Sequence, residues 1–255
     1  MYDIITASLK KLEEEKEIKI LYACESGSRG WGFASEDSDY DVRFMYIHKP
    51  EYYLSVNSHP DVIDFFSDDR VFDLSGWDIR KALSHFHGSN PTLFDWLQSP
   101  IIYDEKNNFR QELLDLSPSH YSLRKGTHHY LGIMMNTFNE EMNKEQVRLK
   151  KIFYVLRTAL SAWWIVQKRE VPPMQFAPLR ELVTDVDIQA LISELLEKKL
   201  RSTEKDTVPR NDALNKYILD IRDQCEAIAK ELQHTPPSIE IMNTLFRTTL
   251  QSVWK

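Results

Sequence analysis

Apolar residues recur at Ile4, Ile5, Leu9 and Leu12 with lysine and glutamate between them, a spacing that predicts a helix over residues 3–16. Lys19–Cys24 (KILYAC) is short, apolar and rich in strand formers, which suits a buried strand. A turn of small residues follows, Glu25-Ser26-Gly27-Ser28-Arg29-Gly30, and Trp31–Ser35 reads as the end of a short helix. Asp39–Ile47 (DYDVRFMYI) alternates with the period of two that marks a strand. Residues 48–60, with two prolines, read as an irregular connection. Val62–Phe66 and Arg70–Leu74 read as two short strands around a Ser67-Asp68-Asp69 turn. Ser75-Gly76 punctuates the chain before a helix over Trp77–Phe86, and the Asn90-Pro91 pair starts a helix that reaches Leu97.

Beyond about residue 105 the strand signal stops. Tyr121–Glu141, Lys144–Gln167, Asp187–Leu200, Asn211–Leu232 and Ser238–Val253 show helical periodicity, with breaks at Pro172-Pro173, Pro178, Pro209 and Pro236-Pro237. The pattern therefore predicts an α+β chain: a mixed sheet with helices over residues 1–110, then an all-helical bundle over 111–255. No linker-like composition marks the boundary.

Composition narrows the class. Hydrophobic residues at 42% and charged residues at 28% are the balance of a globular protein, and a length of 255 residues suits two small domains. The net charge of -7 supplies no general field for nucleic acid, so a polyanion site must be a local patch. Cys24 and Cys225 are too few and too distant for a disulfide framework, and Cys24 reads as a buried thiol. No apolar run approaches the roughly 20 residues that span a bilayer, and the first residues lack a signal-peptide core. The expectation is a cytoplasmic protein with no membrane partner. Nothing in the pattern sets its oligomeric state.

Chemistry concentrates at Gly27-Ser28 and, after ten intervening residues, Asp39-Tyr40-Asp41. Aspartates at i and i+2 of a strand project to one face, with backbones about 7 Å apart, and repel unless a cation bridges them. Magnesium does so readily, taking one or two carboxylates together with phosphate oxygens. A Gly-Ser turn at a helix start offers N–H groups and a hydroxyl to a phosphate tail. Together these suit in-line displacement on the α-phosphate of a nucleoside triphosphate.

The Gly27-Ser28 turn followed by Asp39-x-Asp41 resembles the signature of the DNA polymerase β nucleotidyltransferase superfamily. Across most of the chain, the runs ESGSRGWGFASEDSDYDVRF, FDLSGWDIRKAL, SNPTLFDWLQSPIIY and KKIFYVLRTALSAWWI are similar to the RlaP family of RNA-repair-associated nucleotidyltransferases. The resemblance implies a nucleotidyltransferase fold in the first domain and a nucleotide- or substrate-binding role for the helical one. It implies a nucleoside triphosphate substrate, ATP among the candidates, and two Mg²⁺ ions, with Mn²⁺ as an alternative, on Asp39, Asp41 and a third carboxylate. Asp73 is the candidate third ligand and base, with Asp64 its competitor. Asp78 reads equally as a helix cap, and Asp68 and Asp69 as turn residues. The acceptor stays open between an RNA end, a small molecule and a protein hydroxyl. A non-catalytic nucleotide-binding module is the reading from another class.

Ser28 is expected on the β- and γ-phosphates, and Arg29 either reaches the triphosphate or pairs with Glu36 or Asp37. Arg43 shares the face of both aspartates and is expected to neutralise them. Lys150, Tyr154 and Arg157 fall at i, i+4 and i+7 of one helix, a stripe that would face the nucleotide, while Lys151 reads as surface. His85, His87, His128 and His129 lack the spacing of a zinc site.

Overall fold

Helix α1 (Tyr2–Lys16) buries Ile5, Leu9 and Leu12 in one stripe and stops at Glu17, whose backbone turns left-handed at φ 50°. The computed structural model describes residues 1–67, 71–203, 205–233 and 235–255. In it the stripe packs with Ile18, Ile20, Val42, Phe44, Tyr46 and Leu74 from one face of a sheet. Burying each such aliphatic side chain stabilises the fold by roughly 1.5–3 kcal/mol.

The sheet comprises β1 (Ile18–Glu25), β2 (Tyr40–His48), β3 (Val62–Phe66), β4 (Phe72–Asp78) and β5 (Ile102–Glu105), in the order β3-β4-β2-β1-β5. β2 and β4 run parallel, and the other neighbours are antiparallel. Helix α2 (Gly27–Trp31) joins β1 to β2, and α3 (Pro50–Tyr53) gives one ordered turn to the connection read as irregular. Helices α4 (Ile79–His87), α5 (Pro91–Leu97) and α6 (Phe109–His120) follow the chain order of the strands.

β4 runs to Asp78, where the pattern had ended a strand at Leu74. Gly76 is strand rather than punctuation: a Cβ there would sit 2.2 Å from the Phe44 ring on β2, so the absent side chain is what lets the two strands pair. α4 accordingly starts at Ile79, capped by Asp78, whose carboxylate accepts from the Arg80 N–H at 2.8 Å. The cap reading of Asp78 is thus the observed one. The turn residues Asp68 and Asp69, with Arg70, lie outside the described residues.

The chain forms two compact units, but not at a single break near residue 110. One comprises Met1–Gly30, Asp39–His120 and Pro236–Lys255. The other comprises Trp31–Ser38 and Tyr121–Thr235. α6 stays with the first unit because it packs on β1 and α5, and α12 (Glu240–Val253) returns to it by packing on α4.

In the second unit α7 (Leu123–Thr137) runs into one π-helical turn, Phe138–Met142. Then come β6 (Gln146–Arg148), α8 (Leu149–Lys168), α9 (Phe176–Arg180), α10 (Val186–Leu200), β7 (Thr207–Pro209) and α11 (Asp212–Ala229). α8 is the central helix, lying against α7, α9, α10 and α11. The unit is not purely helical, since β6 and β7 pair through Gln146–Arg148 and Thr207–Pro209. The segment Trp31–Ser38 is anchored here: the Phe33 ring lies 5.4 Å from Phe153 and 5.7 Å from Phe176. Lys199, fully buried, donates to Ser35 Oγ at 2.8 Å. Among the described residues no helix is long and apolar enough to cross a membrane.

Candidate active site

Parallel pairing of β2 with β4 sets Asp41 beside Asp73, and register partners in adjacent strands point to the same face. Arg43, two residues along β2, shares that face. Its Nη2 donates to Asp41 Oδ1 at 3.0 Å and its Nη1 to Asp73 Oδ2 at 2.8 Å. One guanidinium therefore spans two carboxylates that would otherwise repel. The expectation that Arg43 neutralises Asp39 and Asp41 holds for Asp41, and Asp73 is a further partner. Asp64 is one strand further out, where its Oδ1 accepts from Ser75 Oγ at 2.6 Å.

The glycine turn meets the same carboxylate. Gly27 has φ +58°, and a Cβ on it would fall 1.8 Å from Asp41 Oδ2. Only glycine lets the backbone pass this close. The Ser26 N–H donates to the Asp41 carbonyl at 2.7 Å, closing the turn onto the start of β2. Ser28 is buried in the first turn of α2. Arg29 lays its guanidinium 3.8 Å from the centroid of the Tyr40 ring, and its Nε donates to the Asp39 carbonyl at 3.3 Å. Arg29 thus grips the backbone that presents Asp39. Asp39 itself is exposed, one residue before β2 begins.

Glu25, which the sequence reading passed over, supports the site from the core side. It is fully buried, its Oε1 accepts the Asp41 N–H at 2.8 Å, and its Oε2 accepts the Tyr103 hydroxyl at 2.5 Å. Burial pushes its carboxyl above the ordinary glutamate range, and these two donors pull it back. The available signal was a charged residue ending an otherwise apolar strand. Cys24 beside it is the buried thiol expected, pushed up to about 12 by desolvation.

Among the described residues no three His, Cys, Asp or Glu side chains stand ready as a metal cage. The donors are nevertheless those a hard divalent ion takes: carboxylates on one face that already share a cation, with an exposed carboxylate next to them. Such an ion would replace part of the charge that Arg43 supplies.

Lys150, Tyr154 and Arg157 lie on α8 in the second unit, and the stripe they form is not uniformly exposed. Lys150 is exposed, Tyr154 half-buried and Arg157 2% exposed. Arg157 Nε donates to the Met174 carbonyl at 3.0 Å, and its guanidinium lies 4.7 Å from the centroid of the Trp31 ring. Tyr154 stacks at a tilt on Trp31, 5.6 Å between centroids. Lys151, read as surface, carries its Nζ 5.7 Å from the Tyr154 ring. Much of this stripe therefore fastens Trp31 to α8.

The family described as RlaP, RNA repair pathway DNA polymerase beta family, matches residues 1–248. The chain is 38% identical over 253 residues to the uncharacterized protein YcgL of Bacillus subtilis, covering 98% of this chain and 97% of that protein. Among solved structures it resembles a nucleotidyltransferase-like protein from Exiguobacterium sibiricum. That likeness has a TM-score of 0.33 and 12% identity, over 89% of this chain and 75% of the other.

Proposed function

The chain belongs to the RlaP family of the DNA polymerase β type, and from that premise we propose that it is a metal-dependent nucleotidyltransferase. It moves a nucleoside monophosphate from a nucleoside triphosphate to an acceptor hydroxyl, the end of an RNA first among acceptors. The observation that carries the proposal is the Asp41–Arg43–Asp73 bridge with Gly27 seated on Asp41 Oδ2.

In the reaction the acceptor oxygen forms a bond to the α-phosphorus while the bond from that phosphorus to the bridging oxygen breaks, and pyrophosphate leaves. Asp39, Asp41 and Asp73 would hold magnesium, or manganese in its place, which when bound neutralises the phosphates and acidifies the hydroxyl. Asp73 receives the acceptor proton. The Gly27–Ser28 backbone and the Ser28 hydroxyl hold the terminal phosphates. Arg29 fixes Asp39 through its carbonyl. Glu25 holds the Asp41 N–H, which keeps the carboxylate aimed from a rigid strand. Buried Arg157 positions Trp31 within the second unit. A cytoplasmic location is part of the same reading.

The test is incubation of the protein with each labelled nucleoside triphosphate and magnesium, with and without single-stranded RNA. Labelled RNA and pyrophosphate are expected, and Asp41→Asn should abolish both. Nucleotide binding with no pyrophosphate from any acceptor would replace the enzyme by a nucleotide-binding module.

A further inference from the structure

The outer strand of the sheet carries an aromatic ring that the fold does not use. Phe66 ends β3 and is 64% exposed, while its neighbour Phe65 packs at 6.2 Å on Phe72. Phe66 is the register partner of Asp73, and Asp73 is the register partner of Asp41. Partners share a face, so the ring, the proposed base and the proposed metal ligand form one row across three adjacent strands. The Ser67 N–H donates to the Phe72 carbonyl at 3.0 Å. Ser67–Phe72 is therefore a hydrogen-bonded pair and Phe66–Asp73 the closer kind, with Cβ atoms about 4.5–5.5 Å apart.

We propose that Phe66 is the stacking platform for the terminal nucleobase of the acceptor. This deepens the nucleotidyltransferase reading and rests on it. A nucleotide whose hydroxyl is delivered to Asp73 carries its base on the same sugar, and the exposed Phe66 ring offers a flat apolar surface on that face one strand away. The charge around the ring selects the same occupant. Asp64 stands two residues back on the face of Phe66, and Asp73 beside it, so a phosphate is repelled there while a neutral base is not. The net charge of -7 points the same way, because weak phosphate attraction leaves stacking to hold the acceptor end. A protein partner is disfavoured by area. One ring offers about 150–250 Å², against about 800 Å² per partner in a stable interface.

The experiment uses the whole protein and a short single-stranded RNA with 2-aminopurine as its last base. Phe66→Ala should raise the KM for RNA roughly tenfold, with the KM for the nucleoside triphosphate within about twofold, since one lost stack costs that much. Phe66→Trp should keep tight acceptor use, and Phe66→Leu, which is apolar but has no ring, should behave like the alanine variant. The fluorescence change of the terminal 2-aminopurine on binding, which needs no turnover, should disappear in Phe66→Ala and Phe66→Leu. An unchanged RNA KM and reporter in Phe66→Ala, or a leucine variant equal to wild type, would overturn the assignment. So would loss of self-association in Phe66→Ala with acceptor binding intact, which would make the ring a contact between copies. A wild type that binds the reporter through Phe66 but transfers nothing would sink the transferase reading and leave the stacking site standing.

Discussion

Replacing Arg43 with methionine removes a cation shared by Asp41 and Asp73 while keeping much of its aliphatic bulk. The remaining carboxylates sit on adjacent strands about 4.8 Å apart. Two unit charges at that distance repel by ~1 kcal/mol in bulk water and ~3 kcal/mol at an effective dielectric near 20. Side-chain exposures of 20%, 37% and 24% for Arg43, Asp41 and Asp73 place the site between those limits. The expected loss is about 2 kcal/mol, or roughly 4–8 °C in melting temperature for a chain of this size. Magnesium should return most of it, because a divalent ion supplies the missing charge by binding only the folded protein. Wild type should gain less from the same ion, since there the ion displaces a guanidinium already paid for in charge. The assay is thermal unfolding of both proteins along a magnesium titration at constant ionic strength. Equal magnesium-dependent rises in the two proteins would refute the idea that ion and guanidinium compete for one place, and so would a variant as stable as wild type without metal.

Gly27→Ala should cost about 1–2 kcal/mol from the left-handed backbone alone and displace Asp41 from its position. Nucleotidyl transfer should then fall far more than stability does, and a variant with normal turnover would remove the turn from the site. Acid should weaken the first unit through its histidines. Burial holds His48 down to about 4, and burial also lowers His85 and His120 below the ordinary histidine range. At these three histidines the unfolded chain binds more protons than the folded one below about pH 6.5, and the stability they contribute, complete above that value, drains away as pH falls toward about 4. Urea midpoints should drop between about pH 7.5 and about pH 5, with a shallower drop in His48→Gln, and a flat profile would contradict the burial argument.

The candidate site was legible where its residues are local. Gly27, Asp39 and Asp41 lie within one short stretch, whereas Asp73 entered through the family resemblance, and it is the pairing of β2 with β4 that sets it beside Asp41. What escaped the sequence depends on partners far along the chain. Gly76 read as a break because its reason is the Phe44 ring on another strand. The stripe of Lys150, Tyr154 and Arg157 had the right helical spacing, yet spacing cannot tell a solvent face from one turned onto Trp31. Ser238–Val253 looked like one more bundle helix, since periodicity reveals an apolar face but not that α4 is what covers it. β6 and β7, three residues each, are too short to leave a pattern. Phe66 read as the end of a short strand, and only the register shows that it shares a row with Asp73.

The chain passes between its two units at residues 30/31, 38/39, 120/121 and 235/236. This bears on how the protein can be made and exchanged. A ribosome delivers Asp41, Arg43 and Asp73 early, yet the helix that packs on α4 emerges only after every residue of the second unit. The first unit therefore cannot complete itself during synthesis until the second unit has been made. A single genetic crossover with a relative would likewise divide the first unit wherever it fell. Only a paired exchange, carrying residues 31–38 together with 121–235, would move the second unit whole and by itself.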